Sequence, residues 1–286
     1  MTLLKPFLII IKSFLFYLFD SLALWKIPSP QLNDLELVFL IRQDGIGDFV
    51  MWLDSAKEYR KLYPPDKYKI VLVGNKIWYE LAEELPYWDE VVPVDVKQFK
   101  TFSSYRWKLL RTIRKLKIET AIQPTFSREF YHGDALVRAS GALRKVSSAG
   151  DMANRNWLKQ FLADRWHTEL IPASTEPLTE LERNAEFFSG LTDSPHLTRY
   201  PKLDIQEFWL SSEWKDKTFY ILVPGTSGAV AGKEWPPDFF SDLATKVFRQ
   251  TGWEGAICGA KQERSLGEQI LKQCDAPLQN LCGQTT

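Results

Sequence analysis

The feature of this sequence that most constrains its fold is a repeated alternation of short apolar segments with amphipathic ones. In the first half, the apolar segments are LELVFLIR, KYKIVLVG, DEVVPVD and ETAIQP, and the stretches between them have apolar residues at helical spacing. After the first segment, for example, Phe49, Trp52, Leu53 and Ala56 mark one face of a helix. Short apolar strands that alternate with helices predict an α/β fold with a doubly wound parallel sheet.

The same alternation returns in the last third of the chain. TFYILVPG and GAICG have the character of strands, and PPDFFSDLATKVFRQTG and ERSLGEQILKQC have that of helices. Residues from about 150 to 215 are less regular and include one clear helix, EPLTELERNAEFFSGL. The pattern predicts two Rossmann-like domains, residues 35–192 and 216–286, after an amino-terminal helix within residues 1–30.

Charge and composition exclude several classes of function. The chain of 286 residues has 36 basic and 36 acidic side chains, so no overall field attracts nucleic acid and no such partner is expected. The three cysteines have no metal-binding spacing, and an odd count is a poor disulfide framework, which favours a reducing, cytosolic setting. The three histidines lie far apart, so no metal site is expected.

Residues 7–25 are strongly apolar but include Lys12 and Asp20. On a helix these two share a narrow polar sector with Lys5 and Ser13, while Leu, Ile and Phe fill the other faces. This pattern favours a helix that lies in a membrane interface. A true span or uncleaved signal anchor and a helix packed on the protein's own core remain open, whereas a cleaved signal peptide is disfavoured because no small-x-small site follows.

The first strand–helix junction, IRQDGIGDF, places Gly45, Gly47 and Asp48 where a helix begins. Glycines there allow a tight turn and close approach of a ligand, and the helix offers free N–H groups. The dinucleotide fingerprint GxGxxG is incomplete because residue 50 is Val, which disfavours a role in NAD binding. Asp48 has two interpretations: a helix N-cap, which this junction alone favours, or a carboxylate at the ligand-binding edge of a parallel sheet.

Two further junctions lie in the second predicted domain. The segment ILVPGTSGAVAGKEWPP supplies hydroxyls at Thr226 and Ser227 and a lysine, Lys233, before a helix, a plausible phosphate cradle that is not a Walker A loop. Its alternative is a flexible loop with a surface lysine. In ICGAKQERS, Glu263 stands where a helix begins and is interpreted first as a cap, with a hydrogen bond to a ribose as the alternative.

Taken together, these junctions resemble the ADP-heptose:lipopolysaccharide heptosyltransferase family, whose members are metal-independent inverting glycosyltransferases of the GT-B fold. That family combines "I-R … x-I-G-D" with "P-G-(A/T)-S", "K-x-W-P" and "G-x-x-x-E". Here the matching positions are Ile41-Arg42 with Ile46-Gly47-Asp48, Pro224-Gly225-Thr226-Ser227, Lys233-Glu234-Trp235-Pro236, and Gly259 with Glu263. Order and spacing agree from about residue 36 to the end, except that residues 125–210 match in outline alone.

The resemblance implies a role for each matched residue. Asp48 would be the general base that takes the proton of an acceptor hydroxyl, with Gly45, Gly47 and Gly225 as cleft backbone. Thr226, Ser227 and Lys233 would hold the donor diphosphate without a metal or other cofactor, and Glu263 would bind the donor ribose. The co-substrate would be a nucleotide-sugar, in that family ADP-heptose.

The sequence also departs from that family. Val223 stands where the family has His, and nothing matches its later "D-S/T-G-x-x-H" loop, so a truncated reading frame and an incomplete second domain are expected. A non-catalytic membrane-associated protein that binds a nucleotide-sugar or glycan is therefore the alternative to the transferase. An NAD(P)-dependent or other nucleotide enzyme is a third possibility.

The leading hypothesis is a transferase that acts on a lipid-linked glycan at the inner face of the cytoplasmic membrane. Its partners would be the nucleotide-sugar donor, the glycan acceptor and the membrane surface. The basic helix YRWKLLRTIRKLKI would meet acidic sugars or phosphates, or, as the pattern favours, would be an ordinary solvated face. Its basic residues are Arg106, Lys108, Arg111, Arg114, Lys115 and Lys117. The donor sugar, the acceptor and the oligomeric state are not fixed by the sequence.

Overall fold

The computed structural model describes residues 4–27, 35–202, 214, 217–226 and 235–284, and the side chains among them from residue 7. The chain divides into two compact units, residues 1–202 and 203–286. The first contains a six-stranded sheet and the second a three-stranded sheet, and every pairing between neighbouring strands is parallel. The predicted doubly wound α/β architecture is therefore confirmed.

The first sheet has the strand order β3-β2-β1-β4-β5-β6. Its strands are β1 (Glu36–Arg42), β2 (Tyr68–Asn75), β3 (Glu90–Val94), β4 (Ile118–Gln123), β5 (Arg144–Ser148) and β6 (Glu169–Ile171). β1 lies in the middle and pairs with β2 through residues such as Phe39 and Val71. All but the first of its residues are buried, because helices cover both faces of a parallel sheet.

The helices of the first domain connect these strands. They are α1 (Leu4–Ala23), α2 (Ile46–Ala56), α3 (Tyr59–Leu62), α4 (Tyr79–Glu83), α5 (Val96–Phe99), α6 (Ser104–Arg114), α7 (Gly133–Ser140), α8 (Trp157–Asp164) and α9 (Glu180–Thr192). The single helix predicted after β1 is divided into α2 and α3. One hydrophobic core joins the sheet to α6 and α7 through Phe39, Val71, Leu110 and Val137.

The second domain has the strand order β7-β8-β9. Its elements are β7 (Phe219–Leu222), α10 (Pro237–Thr251), β8 (Glu254–Ile257), α11 (Arg264–Gln273) and β9 (Leu278–Asn280), with a 3₁₀ turn at Lys261–Glu263. Leu222, Ala244, Ile257 and Ile270 bring the sheet and both helices into one core. Both strands and both helices predicted for this region are present.

Helix α1 packs on the first domain through its polar residues. Ser13 and Asp20 are buried, together with Phe16 and Ala23. The Asp20 carboxylate accepts two hydrogen bonds from the Arg106 guanidinium, at 2.7 and 2.5 Å, in a pair that is shielded from water. The side of α1 that contains these residues therefore packs on the protein's own core, which was one of the three alternatives for this segment.

The opposite side of α1 is apolar and exposed. At 100° per residue its exposed side chains include an arc of about 120° that contains only apolar residues. We call this arc the outer face of α1; it consists of Phe7, Leu8, Ile11, Phe14, Leu15, Leu18, Leu22 and, just after the helix, Trp25. Within the described part of the chain, no helix meets the length and hydropathy needed to cross a bilayer.

The basic helix α6 explains why polar residues of α1 can be buried. Arg106 binds Asp20, Arg111 donates to the carbonyl of Ala23 at 2.8 Å, and Arg114 donates to the carbonyl of Arg138 at 2.6 Å. The interpretation of this helix as a solvated basic face is therefore wrong for the three arginines. It is correct for Lys108, Lys115 and Lys117, which are exposed.

Candidate functional site

The order of the strands points to one edge of the first sheet. The chain order reverses between β1 and β4, which are neighbours in space. Ligands of open parallel sheets bind at the carboxyl ends of the strands at such a switch point. The loop after β1 leads to Asp48 and the loop after β4 contains Thr125 and Glu129, so these segments border the expected crevice.

Asp48 lies in the first turn of α2, and its carboxylate is open to solvent. The N-cap of the helix is Gly45, three residues earlier, so the N-cap interpretation of Asp48 is wrong. Among the described residues, none makes a hydrogen bond or ion pair with the Asp48 carboxylate. The group is thus not used to hold the fold, and a negative charge there gains from the helix dipole.

The two glycines beside Asp48 do not serve a tight turn. Gly45 has φ of −68°, and neither glycine belongs to the described residues with positive φ. A Cβ placed at Gly47 would meet nothing within 4 Å, whereas one at Gly45 would lie 3.8 Å from Oδ2 of Asp48. The backbone at these two positions therefore does not need glycine for a positive φ, and what the glycines leave is open space next to the carboxylate.

Arg42, the last residue of β1, fixes the loop that leads to Asp48. This buried guanidinium lies 2.6 Å from the carboxylate of Asp44 and 2.5 Å from that of Glu180 in α9, and it donates to Asn184 at 2.9 Å. A further, longer contact of 3.4 Å reaches the backbone carbonyl of Asp48. Arg42 therefore connects the first turn of α2 to α9.

Electrostatics favour the charged form of Arg42. Burial by itself lowers the pKa of the guanidinium, but the carboxylates of Asp44 and Glu180 outweigh it, so that the pKa is raised above its ordinary value. Arg42 was recognised in the sequence as part of a motif, but no role could be predicted for it. The missing information was its partner in α9, which lies 138 residues away in the chain.

The ends of two neighbouring strands fix the same loop. The backbone carbonyl of Asp44 accepts hydrogen bonds from Asn75, the last residue of β2, at 3.1 Å and from the Trp78 indole, just after β2, at 3.0 Å. Thr125, after β4, donates to the Asp44 carboxylate at 3.2 Å. The buried ring of Phe49 stacks on Trp78 with 3.9 Å between centroids. These contacts preorganise the segment around Asp48.

A second acid at this edge, Glu129, was not singled out by the sequence. Burial raises the pKa of its carboxyl, and Lys100 and Lys159 offset part of that effect. His132 lies 3.7 Å away, and burial together with Lys100 and Arg106 lowers the pKa of its imidazole to about 3. At neutral pH this histidine is therefore neutral. The position of Glu129 shortly after a predicted strand was the one signal available for it.

In the second domain, Glu263 lies where the loops after β7 and β8 approach each other. Its Oε2 accepts a hydrogen bond from the backbone N–H of Ala260 at 2.6 Å and so closes the 3₁₀ turn before α11. Glu263 stands at the N-cap position of α11, as expected, but its side chain makes no capping hydrogen bond to that helix. A Cβ at either Gly225 or Gly259 would overlap the carboxylate of Glu263. An alanine at either position would therefore displace the carboxylate of Glu263 from its place between the two loops.

The remaining predicted donor residues are only partly placed. Thr226 follows Gly225 in the loop after β7 and is half-buried. Ser227 and Lys233 lie outside the described residues, so the phosphate cradle stays a prediction. Trp235, just before α10, is exposed and lies 5.6 Å from the ring of Phe240. In the described ranges, no group of three or more His, Cys, Asp or Glu side chains is arranged to hold a metal ion.

Comparison with protein families gives one match. The model of glycosyltransferase family 9 (heptosyltransferase) matches residues 135–286, which is more than half of the chain. A search of curated proteins found no significant match.

Comparison with solved structures gives several matches of low sequence identity. A family 9 glycosyl transferase from Veillonella parvula has a TM-score of 0.66 at 17% identity, over 90% of this chain and 72% of that one. The ADP-heptose LPS heptosyltransferase II of E. coli has a TM-score of 0.61 at 18% identity, over 87% of this chain and 73% of that one.

A third similar structure is E. coli heptosyltransferase WaaC with ADP-2-deoxy-2-fluoro heptose. It has a TM-score of 0.66 at 14% identity and covers 86% of this chain and 76% of that one. At such identities the likeness shows the fold alone. The fold is of the GT-B type, as the sequence predicted.

Proposed function

The chain belongs to glycosyltransferase family 9, the heptosyltransferases, and we propose that it moves a heptose from ADP-heptose to a lipid-linked glycan such as the lipopolysaccharide core. Membership makes the protein a glycosyltransferase. The choice of ADP-heptose as donor is supported by the similar E. coli structures, one of an ADP-heptose LPS heptosyltransferase and one with an ADP-heptose analogue.

In the proposed step, Asp48 acts as the general base. An acceptor hydroxyl attacks the anomeric carbon from the face opposite the diphosphate, and its proton passes to the Asp48 carboxylate. The new C–O bond forms as the bond to the diphosphate oxygen breaks, so that ADP leaves and the anomeric configuration inverts. A well-placed base is typically worth about 10²–10⁴ in rate.

The observation that carries this proposal is the contrast between Asp48 and its loop. The loop is fixed by Arg42, Asn75, Trp78 and Thr125, whereas the Asp48 carboxylate is exposed and stands beside the open space at Gly47. A base must be fixed in position and yet free to meet the substrate. The first turn of α2 meets both conditions.

The donor would bind in the second domain. Thr226, Ser227 and Lys233 are proposed to balance the charge of the diphosphate, with no metal or other cofactor, and Glu263 to bind the ribose. Since Oε2 of Glu263 is used by Ala260, the ribose hydroxyl would donate to Oε1, on the side of Gly225.

The proposed location is the cytoplasm, on the inner face of the inner membrane as a peripheral or monotopic protein. A lipid-linked acceptor is held at that surface, so an enzyme that acts on it gains from staying there. The exposed apolar side of α1 supports this location.

The experiment that tests the function is a turnover assay with ADP-heptose and a lipid-linked core acceptor. We expect release of ADP that depends on the acceptor, together with one heptose added to it in the inverted configuration. Binding of ADP-heptose without any transfer would contradict the proposal and support the non-catalytic alternative. UDP- and GDP-sugars serve as controls for the donor.

A further inference from the structure

The starting observation is that α1 has its polar side turned inward and its apolar side turned outward. An amphipathic helix on a water-soluble domain normally buries its apolar stripe. Here the outer face is continuous from Phe7 to Trp25, a length of about 27 Å along the helix axis. Exposed apolar areas of this extent mark interaction surfaces.

The outer face cannot rotate inward, because hydrogen bonds fix the other side of the helix. Besides the pair of Asp20 with Arg106, the Ser13 hydroxyl lies 3.0 Å from that of Tyr131. Arg138, in α7, donates to the hydroxyl of Ser21 at 2.6 Å. Rotation would leave these buried polar groups without partners, which is costly.

Charges beside the outer face are positive. Lys12 is exposed next to it, and Lys26 lies over the Trp25 ring at 5.1 Å. Arg165, which directly follows α8, is exposed as well, and α8 contacts α1. The acidic side chain of α1 within the described residues, Asp20, is buried in its ion pair. A negatively charged partner therefore fits this surface.

We propose that the outer face of α1 inserts into one leaflet of an anionic lipid bilayer, with the helix axis parallel to the membrane plane. The indole N–H of Trp25 is the one hydrogen-bond donor among the side chains of the outer face, and an indole at the end of such a face suits the headgroup level of a bilayer, as the cationic border suits lipid phosphates. A second copy of the chain would bring two cationic borders together, so self-association is disfavoured.

The inference refines the location named in the proposed function and adds an orientation. Ser13 contacts Tyr131, which follows Glu129 by two residues after β4. The amino-terminal half of α1 thus flanks the carboxyl edge of the sheet, where Asp48 also lies. A bilayer on the outer face would bring lipid-linked glycans to this edge.

The test is flotation of the full chain with vesicles of 30% phosphatidylglycerol and 70% phosphatidylcholine, compared with pure phosphatidylcholine. The protein should bind both, and the anionic vesicles more strongly, by about fivefold or more at low salt. The double variant Leu15→Glu/Leu22→Glu should lower the partition coefficient at least about tenfold, because each change removes a large apolar group from lipid.

A matched control is Leu197→Glu, since Leu197 is 79% exposed and lies outside the outer face. It should bind vesicles like the unchanged protein. Circular dichroism and ADP titration show whether each variant is folded, independently of turnover, so a failure here is distinct from a failure of the transferase assay. Unchanged vesicle binding by the double variant would overturn the proposal. A dimer that the double variant abolishes, without any vesicle binding, would also overturn it.

Discussion

The carboxyl edges of the two sheets each present an acid, and the two acids are held differently. The Asp48 carboxylate is exposed and, among the described residues, accepts no hydrogen bond, while Arg42 contacts the backbone carbonyl of Asp48 and fixes its loop. Glu263 caps the 3₁₀ turn after β8 and lies between Gly225 and Gly259. The Asp48 carboxylate is therefore available to accept a proton, whereas the Glu263 carboxylate also stabilises the loop that contains it. Substitutions at the two should therefore separate turnover from stability and binding.

The largest effect on stability is expected from Arg42→Met. It removes a buried charge from two carboxylates, which typically costs about 3–5 kcal/mol in the free energy of unfolding. Turnover should fall with the loss of order around Asp48, while the affinity for ADP stays within about twofold.

Denaturant unfolding and ADP titration check this, with Arg144→Met as the control. Arg144 pairs with Glu169 at 2.9 Å, but both side chains are about two-fifths exposed, so its loss should cost less than about 1 kcal/mol. Equal stability of the two variants would show that Arg42 does not organise the loop.

The next effect is expected on donor affinity, from Gly225→Ala. The added methyl group overlaps the carboxylate of Glu263, which must move, so the Kd for ADP should rise about tenfold. Gly252→Ala is the matched control, because Gly252 has φ of +71° and a Cβ there meets nothing within 4 Å.

That control should lose about 1 kcal/mol of stability through backbone strain and keep its affinity for ADP. Calorimetry on both variants measures the two quantities separately. If Gly225→Ala binds ADP normally, Glu263 has no part in the donor site.

A smaller effect is expected from Gly47→Ala. In the first turn of α2 the backbone φ is negative and the space beside Gly47 is open, so alanine should raise the free energy of unfolding by about 0.5 kcal/mol. Turnover should nevertheless fall, because the acceptor needs that space. Thermal unfolding and the transfer assay give the two results; full activity would mean that the acceptor approaches from another side.

The smallest effect is expected from Glu129→Gln. Because burial raises the pKa of Glu129 above 4.5 in the folded state, its stabilising contribution is present below that pH and is lost as the pH rises. Glutamine should then be more stable than glutamate at pH 7, by less than about 1 kcal/mol because solvent screens the exposed quarter of the side chain. Melting curves at pH 7 and pH 4 test this, and the difference should vanish at the lower pH.

Much of the fold could be predicted because its strands are apolar and its helices periodic. The strands β1 to β4 and β7 to β8 follow the predicted segments. The strand β5 was missed because its buried residues include Ser147 and Ser148, which give no apolar run. The helix α7 was missed because it has only eight residues, and its buried residues include the polar Asp134 and Ser140.

Prediction from the sequence was limited in the same way at the two candidate sites. Asp48 and Glu263 lie at the strand–helix junctions where the motifs placed them, but the sequence did not show the contacts that fix these junctions. Arg42 depends on Glu180, and Asp20 on Arg106, partners that are distant in the chain. A pattern within one helix cannot show that its polar side meets arginines from another. For this reason the sequence left open whether α1 packs on the protein's own core.

The most direct test of the account is the substitution Asp48→Asn, measured for turnover, ADP affinity and thermal stability together. The change keeps the size of the side chain and removes its ability to take a proton. Asp44→Asn is the control, since Asp44 is paired with Arg42 and its loss should lower the melting temperature.

For Asp48→Asn we predict that kcat falls by about 10²–10⁴ while the Kd for ADP stays within about twofold. The melting temperature should fall by no more than about 4 °C, because loss of the helix-dipole interaction costs about 0.3–1 kcal/mol. Turnover close to that of the unchanged enzyme would contradict the assignment of Asp48 as the base.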